Sequence, residues 1–497
     1  MSVVAPGGLH WTAFAVFAFF FALVSVMGFV AARWRRPATL AHIDEWGLGG
    51  RQFGTWITWF LVGGDFYTAY TVIAVPALVF SAGAYGFFAL PYTILVYPFI
   101  FVVMPRLWEY AAAGGHVTAA DVVHARYGSR ALELAVALTG LLATMPYIAL
   151  QLVGMQVVIG ALGLVGELPL VAAFLILALY TYSAGLRAPA LIAFVKDIMI
   201  YIVVLVAVAV IPAHLGGYGA VFSAAQTAFA AKGSGGILLK PAQMLPYASL
   251  ALGSALAAFM YPHTLTGVFA SKSADTIRKN AILLPAYTLL LGLIALLGYM
   301  AYAAGIDPKT PPTGVVPALF GAIFPQWFAG FAFAAVAIGA LVPAAVMSIG
   351  SANLFTRNVW KAYVNPAVTP AGEAQVAKIT SLLVKLGALL CIFFLQTKDV
   401  IDLQLIGGLV ILQTFPSVVF GLFTRRFRAE GLLAGWVVGI AGGSWVVIGD
   451  GLKPVHHIVL GGTSYGVYIG LLALAANIVV ATAVSLALGG ERQVARA

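Results

Sequence analysis

Charge is scarce in this chain. Asp, Glu, Lys and Arg make up 8% of its 497 residues, against about 25% in a water-soluble domain. With 62% hydrophobic residues and a mean hydropathy of +1.02, the polar groups cannot cover the surface, so the surrounding solvent is lipid. Cysteine is almost missing: Cys391 stands alone, which excludes an intrachain disulfide and leaves it as a small packing residue in an apolar run. Strict polar–apolar alternation is missing too, and with it the signature of a transmembrane β-barrel. No histidines or cysteines stand at metal-ligand spacing, the adjacent His456 and His457 included, and no serine has a base beside it, so an enzyme reading finds no catalytic centre. There is no soluble domain either; the longest polar stretches, 213–244 and 107–130, read as connectors.

What is present is apolar sequence in helix-length runs. A span takes about 20 residues. Runs of that kind lie near 10–32, 55–82, 86–106, 131–163, 167–184, 189–212, 245–270, 281–304, 326–356, 377–396, 400–423, 430–449 and 463–489, which predicts about thirteen helices. An odd number puts the termini on opposite sides. With the N-terminus outside, every arginine from Arg33 to Arg496 falls in a cytoplasmic segment, together with Lys272, Lys279, Lys361 and Lys378. The outer segments then hold Lys232, Lys240, Lys309, Lys398 and Lys453. The positive-inside rule therefore favours N-terminus out and C-terminus in, across a bacterial inner membrane. The net charge of +10 reads as a topology signal and as contact with anionic lipid headgroups, not as a nucleic-acid surface. The first span follows a short stretch free of Lys and Arg and is read as retained, not cleaved. Lys196 and Lys385 fall within spans, and Lys385 is expected to snorkel to the cytoplasmic surface.

Breaks inside the runs carry the functional signal. Gly63-Gly64-Asp65-Phe66 places two helix-weakening glycines beside a carboxylate at membrane depth. Unwound backbone survives there only where protein or a watery cavity satisfies it, and a carboxylate there is costly. A glycine-lined packing contact is the blander reading; the favoured one is a discontinuous helix whose freed carbonyls bind solute or ion. A second break is expected between Ser249 and His263, where Gly253, Ser254 and Tyr261-Pro262-His263 puncture another run. It comes five spans later, the interval of a five-plus-five inverted repeat. The chain then divides into an extra helix and linker (1–50), a first repeat (51–215), an outer loop (216–244), a second repeat (245–424) and C-terminal helices with a short tail (425–497). Between spans, Thr118-Ala119-Ala120-Asp121 reads as a capping box opening a short helix.

These motifs resemble those of the sodium/solute symporter family, and within it the bacterial monocarboxylate permeases. The resemblance rests on Glu45-Trp46-Gly47-Leu48-Gly49-Gly50-Arg51, on Pro105-Arg106 with Gly115, Thr118, Asp121 and Arg126-Tyr127-Gly128, and on Ala184-Gly185-Leu186-Arg187-Ala188. It continues through Pro262-His263 with Ala270-Ser271-Lys272-Ser273, Ala344-Ala345-Val346-Met347-Ser348, and Gly421-Leu422-Phe423 with Arg425-Arg426 and Gly435. It implies an all-α polytopic protein with a LeuT-like inverted repeat, one extra helix before it and two after, working by alternating access. It also implies a sodium site built from backbone oxygens at Gly63, Phe66 and Ala345 and hydroxyls at two neighbouring positions, here Ser348 and Ile349. Isoleucine offers no oxygen. Where sodium-coupled members carry a carboxylate, this chain has Ala193, and one turn further stands Lys196. Lys196 is therefore expected to supply the positive charge at the vacated site, or else to snorkel or pair with Asp197.

A carboxylate substrate would be held by helix ends and hydroxyl donors at the midplane. The candidates are Gly63, Gly64, Thr68, Tyr70, Tyr147, Gln151, Ser254 and Gln413, with Thr414 beside the last. Asp65 is expected to fix the unwound segment and the ion or proton path, and His263 either to shuttle protons or to bond a freed carbonyl. Tyr70 and Ser254 fall where related sugar carriers place amides, which favours a smaller solute. The expectation is uptake of a short monocarboxylate of the lactate, pyruvate or acetate type, without a cofactor, linked to protons or independent of sodium. Sodium-coupled symport of a monocarboxylate or another small organic solute is the alternative.

Overall fold

The computed structural model describes residues 9–34, 41–392 and 400–489. Helices dominate because each apolar run must satisfy its own backbone in lipid. The unbroken ones used below are α1 (Trp11–Val30), α2 (Ala89–Ala113), α3 (Arg130–Ala161), α4 (Arg187–His214), α5 (Pro285–Ala303), α6 (Gln326–Phe355), α7 (Pro370–Ile392) and α8 (Ala429–Gly449), with α9 (Ile469–Ala487) at the end. Among the described residues, eight helices are long and apolar enough to cross a membrane, or ten when two bent pairs are counted as spans. The sequence reading of thirteen differs for three local reasons. Leu168–Ala184 is a shorter apolar helix, Thr71–Ala113 counts as one stretch, and the run 377–396 leaves the described residues after Ile392.

At the centre lies α6. It carries no charged residue and nearly every side chain on it is buried. Small residues allow this: Gly330 meets the backbone of Ala13 on α1, and Gly350 meets the backbone of Pro262, the close approach that drives helix association in lipid. Around it pack α1, α3, α4, α7 and the short helix Pro262–Phe269. A second small-residue seam joins α8 to α9, where Gly431, Gly435 and Gly439 face Ser485 and Asn477.

The connector 213–244 contains the helix Tyr218–Lys232, and 107–130 contains Ala119–Tyr127. The latter opens on a reciprocal cap: the Thr118 hydroxyl accepts from the Asp121 amide at 3.0 Å, and the Asp121 carboxylate accepts from the Thr118 amide at 3.2 Å. Asp121 also accepts from Asn358 at 2.7 Å, and Asn358 donates to Glu133 at 2.9 Å. Arg357 bridges to Glu373 at 2.9 Å, and Arg187 to Glu45 at 2.6 Å. Charged motif residues thus knit one end of the bundle together, here called the arginine end.

The opposite end carries a feature the hydropathy pattern does not announce. Residues 463–468, read above as the start of a span, form instead a strand (β2, Thr463–Tyr468) antiparallel to β1 (Val455–Leu460), in register Val455↔Tyr468. The connecting Gly461-Gly462 both have positive φ, as a two-residue hairpin turn requires. Tyr468 fastens the hairpin down: its amide donates to the Ser249 hydroxyl at 3.0 Å and its own hydroxyl donates to the Leu405 carbonyl at 2.6 Å.

Candidate transport site at the broken helices

The first broken helix runs as Thr55–Thr58 and Trp59–Gly63, unwinds over residues 65–68, and resumes as Tyr70–Ala74 and Val75–Ala82. Glycine is required at the break. Gly63 lies against the Tyr287 ring of α5, and Gly64 against Lys196 and Asp197 of α4. The unwound carbonyls are satisfied from within the protein. The Lys196 ammonium, 0% exposed, donates to the Gly64 carbonyl and, at 3.3 Å, to that of Tyr67. Asp197 balances its charge at 2.9 Å and accepts from the Tyr287 hydroxyl at 2.6 Å.

At the positions that the resemblance assigns to sodium, the oxygens are engaged within the protein. The Gly63 carbonyl accepts from the Phe66 amide at 3.2 Å, the Phe66 carbonyl from the Thr71 hydroxyl, and the Ala345 carbonyl from the Ser348 hydroxyl at 2.8 Å. Ile349 is buried and apolar. Ser348 accepts in turn from Ser381 at 3.1 Å, which accepts from Lys385 at 2.7 Å. Lys385 therefore corrects the sequence reading: it does not snorkel but is 1% exposed, because α7 is covered by α6 and α3.

The second broken helix consists of Pro241–Ala258 and Pro262–Phe269, bent by 49° at a break. Pro262 has no amide hydrogen to continue the first arm, so the chain turns at Tyr261. A third bend, 47° between Gln404–Leu412 and Phe415–Leu422, was not foreseen from the sequence, although Gln413-Thr414 before Pro416 marks it.

Between the breaks lies a cavity of about 40 Å³, room for a few water-sized groups. Asp65 and Phe66 come from the first break, Tyr147 from α3, Ser254, Tyr261, His263 and Thr264 from the second, and Gln404 and Leu405 from the third bent pair. Phe88, Tyr92 and Tyr468 complete the wall. The nearest atoms of Asp65 and His263, oxygen and ring nitrogen, are 3.4 Å apart. The imidazole also sits 5.4 Å from the Tyr147 ring and 5.2 Å from the Tyr261 ring. Toward the hairpin, Phe88 and Leu405 separate this cavity from a vestibule of about 530 Å³, walled by Asp402, Asp450, Lys453 and His456 among others. There Lys453 pairs with Asp402 and His456 with Asp450, both at 2.7 Å.

Of the residues singled out from sequence, Asp65, Phe66, Tyr147, Ser254, Tyr261 and His263 line the cavity. Gly63 and Gly64 stand behind it, against Tyr287 and Lys196. Thr68 and Gln151 are fully buried elsewhere; the Thr68 hydroxyl has no partner, and the Gln151 amide donates back to the Tyr147 carbonyl at 3.5 Å. Gln413 is an interhelical bond, not a wall residue: it donates to the Leu409 carbonyl at 3.0 Å and accepts from Asn477 at 3.2 Å. The Tyr70 side chain, like that of Cys391, lies outside the described residues. Phe88, Tyr92, Thr264, Gln404 and Tyr468 were missed, since nothing local marks a residue of a membrane helix as part of a wall.

Comparison with known proteins agrees with this arrangement. The sodium:solute symporter family matches residues 46–439. A monocarboxylate transport permease protein of Rhizobium johnstonii is 71% identical over 98% of this chain and 99% of its own length. The uncharacterized symporter YodF of Bacillus subtilis is 31% identical over 94% of this chain and 92% of its own. Among solved structures, a Na+-coupled sialic acid symporter in a substrate-bound outward-open state superposes with a TM-score of 0.80 at 14% identity, over 98% of this chain and 99% of that one. That likeness shows the LeuT-like fold. The chain therefore belongs to the sodium:solute symporter family and is a multi-pass membrane transporter of a small organic solute, not an enzyme.

Proposed function

We propose that the chain imports a short monocarboxylate across a bacterial inner membrane without sodium, by alternating access around the cavity between the broken helices. In this reading the hairpin end and its vestibule face outward, the arginine end faces the cytoplasm, and the repeats comprise 51–215 and 245–424. The observation that carries sodium independence is the Lys196 ammonium on the Gly64 and Tyr67 carbonyls. In this reading the ammonium takes over the work of a bound cation on the unwound helix, through carbonyls adjacent to those the resemblance assigns to sodium, and Ile349 supplies no oxygen for an ion. Sodium coupling is the reading the family name favours; the donor set speaks against it. An anion entering a cell that is negative inside is opposed by about 2.3 kcal/mol per 100 mV. A co-transported cation removes that opposition, and in a sodium-independent carrier the proton takes that part. Support for a short acid comes from the permease name of the 71% identical relative and from the hydroxyl and amide groups of Tyr147, Ser254 and Gln404 in the cavity wall.

Uptake of labelled lactate into proteoliposomes tests this. Unlabelled pyruvate and other short acids are expected to compete, glucose and proline not to, and replacing sodium by choline to leave the rate unchanged while an inward proton gradient raises it. Saturable stimulation by sodium would overturn the coupling scheme, and competition by sugars or proline alone would overturn the substrate class.

The partition between cavity and vestibule yields a second expectation. Phe88→Ala joins the two spaces, so longer and branched acids should become substrates while the KM for lactate rises. A substrate range identical to that of the parent protein would show that Phe88 does not limit entry.

A further inference from the structure

Resting on the monocarboxylate reading, we infer that Asp65 and His263 together form a subsite for an oxygen on carbon 2 of the cargo, so that 2-hydroxy and 2-oxo acids are preferred over unsubstituted ones. The two side chains belong to different broken helices and meet in the wall of the same cavity. They are 5% and 3% exposed, and their approach of 3.4 Å exceeds ordinary hydrogen-bond length. Neither satisfies the other. The remaining carboxylate oxygen of Asp65, Oδ1, and the remaining ring nitrogen of His263, Nδ1, are buried without a hydrogen bond of ordinary geometry, the Thr264 side chain being the polar neighbour of the carboxylate. Buried polar groups are rarely left so, and at membrane depth such an arrangement is maintained for a ligand.

The chemistry of the pair says which part of the ligand. A carboxylate repels the carboxylate of the cargo, so the acid group must turn from Asp65 toward the donors elsewhere in the wall, Ser254, Tyr147 and Gln404. What faces Asp65 is then the neighbouring carbon. A hydroxyl there donates to the aspartate, and a hydroxyl or keto oxygen there accepts from an imidazole N–H; a methylene does neither. The charge of Lys196 on α4 also bears on Asp65. The other surrounding elements add none: from 134 to the end of α3, along all of α6, between Lys240 and Lys272 through the second broken helix, and from 404 to 422, the sequence has no Asp, Glu, Lys or Arg. The buried charges of α4, Lys196 and Asp197, neutralise each other. Discrimination against acids lacking the oxygen follows, because they would leave both groups unpaired.

The test is inhibition of labelled lactate uptake in proteoliposomes by pyruvate and 2-hydroxybutyrate against propionate and butyrate. The oxygenated acids should inhibit at concentrations at least about tenfold lower than acids of equal length without the oxygen. In Asp65→Asn the ratio of lactate to propionate affinity should fall, and His263→Phe should lose the preference for pyruvate. Equal inhibition by propionate and lactate in the unaltered protein overturns the subsite whether or not the variants fold, and leaves the monocarboxylate reading standing. If no short acid competes at all, it is that broader reading that fails.

Discussion

Lys196→Met is expected to abolish lactate uptake and to destabilise the carrier in detergent. Methionine keeps most of the length of the side chain and removes its charge. Asp197 is then a buried carboxylate with only the Tyr287 hydroxyl beside it, and the Gly64 and Tyr67 carbonyls lose their donor. Removing one partner of a buried pair costs about 3–5 kcal/mol, a large share of the total stability of a folded protein. The companion variant Lys196→Met/Asp197→Asn separates folding from function. With both charges gone, the thermal unfolding temperature should return most of the way, while uptake stays absent because the unwound segment still lacks its cation. Wild-type uptake in either variant would remove the lysine from the transport cycle, and recovery of uptake by added sodium in the double variant would show that the site had reverted to an ion.

Gly64→Ala should be nearly as damaging to transport, although it deletes no polar group. A Cβ at this position would collide with the Asp197 carboxylate and come within 2.8 Å of the Lys196 ammonium. Both are held in place by the contacts just described, so the unwound segment must move away and the lysine loses its carbonyls. Overpacking of this kind costs about 1–3 kcal/mol, enough to shift the balance between conformers without unfolding the protein. The expected result is a fall in maximal uptake of at least about tenfold with normal membrane insertion. Gly54→Ala provides the comparison, since an added Cβ there meets nothing within 4 Å and should leave uptake intact. Similar rates for both variants would show that space around Gly64 does not matter.

What could be read from the sequence was what local chemistry dictates. Gly63-Gly64-Asp65 and Tyr261-Pro262 announce their breaks because weak helix formers and a missing amide hydrogen act on their own neighbours. Thr118 and Asp121 announce a cap for the same reason. The hairpin was hidden by its own composition: Thr463–Tyr468 leads directly into the apolar helix Ile469–Ala487, so a hydropathy window merges the two. Lys385 was misjudged because burial depends on how α7 is turned toward α6, which no one-dimensional pattern encodes. The meeting of Asp65 with His263, and the arrival of Phe88, Tyr92 and Tyr468 at one cavity, are products of tertiary packing between segments far apart in the chain.

The hairpin has a consequence for how such carriers diversify. Tyr468 belongs to a segment after the paired breaks, yet it reaches the cavity wall and is bonded to Ser249 and Leu405. On the proposed division into repeats 51–215 and 245–424, the hairpin stands outside both halves of the moving core. Its residues can be exchanged, lengthened or borrowed from another lineage while the moving core is left untouched, so the hairpin is the place where a designer can graft a new preference without rebuilding the machine beneath it.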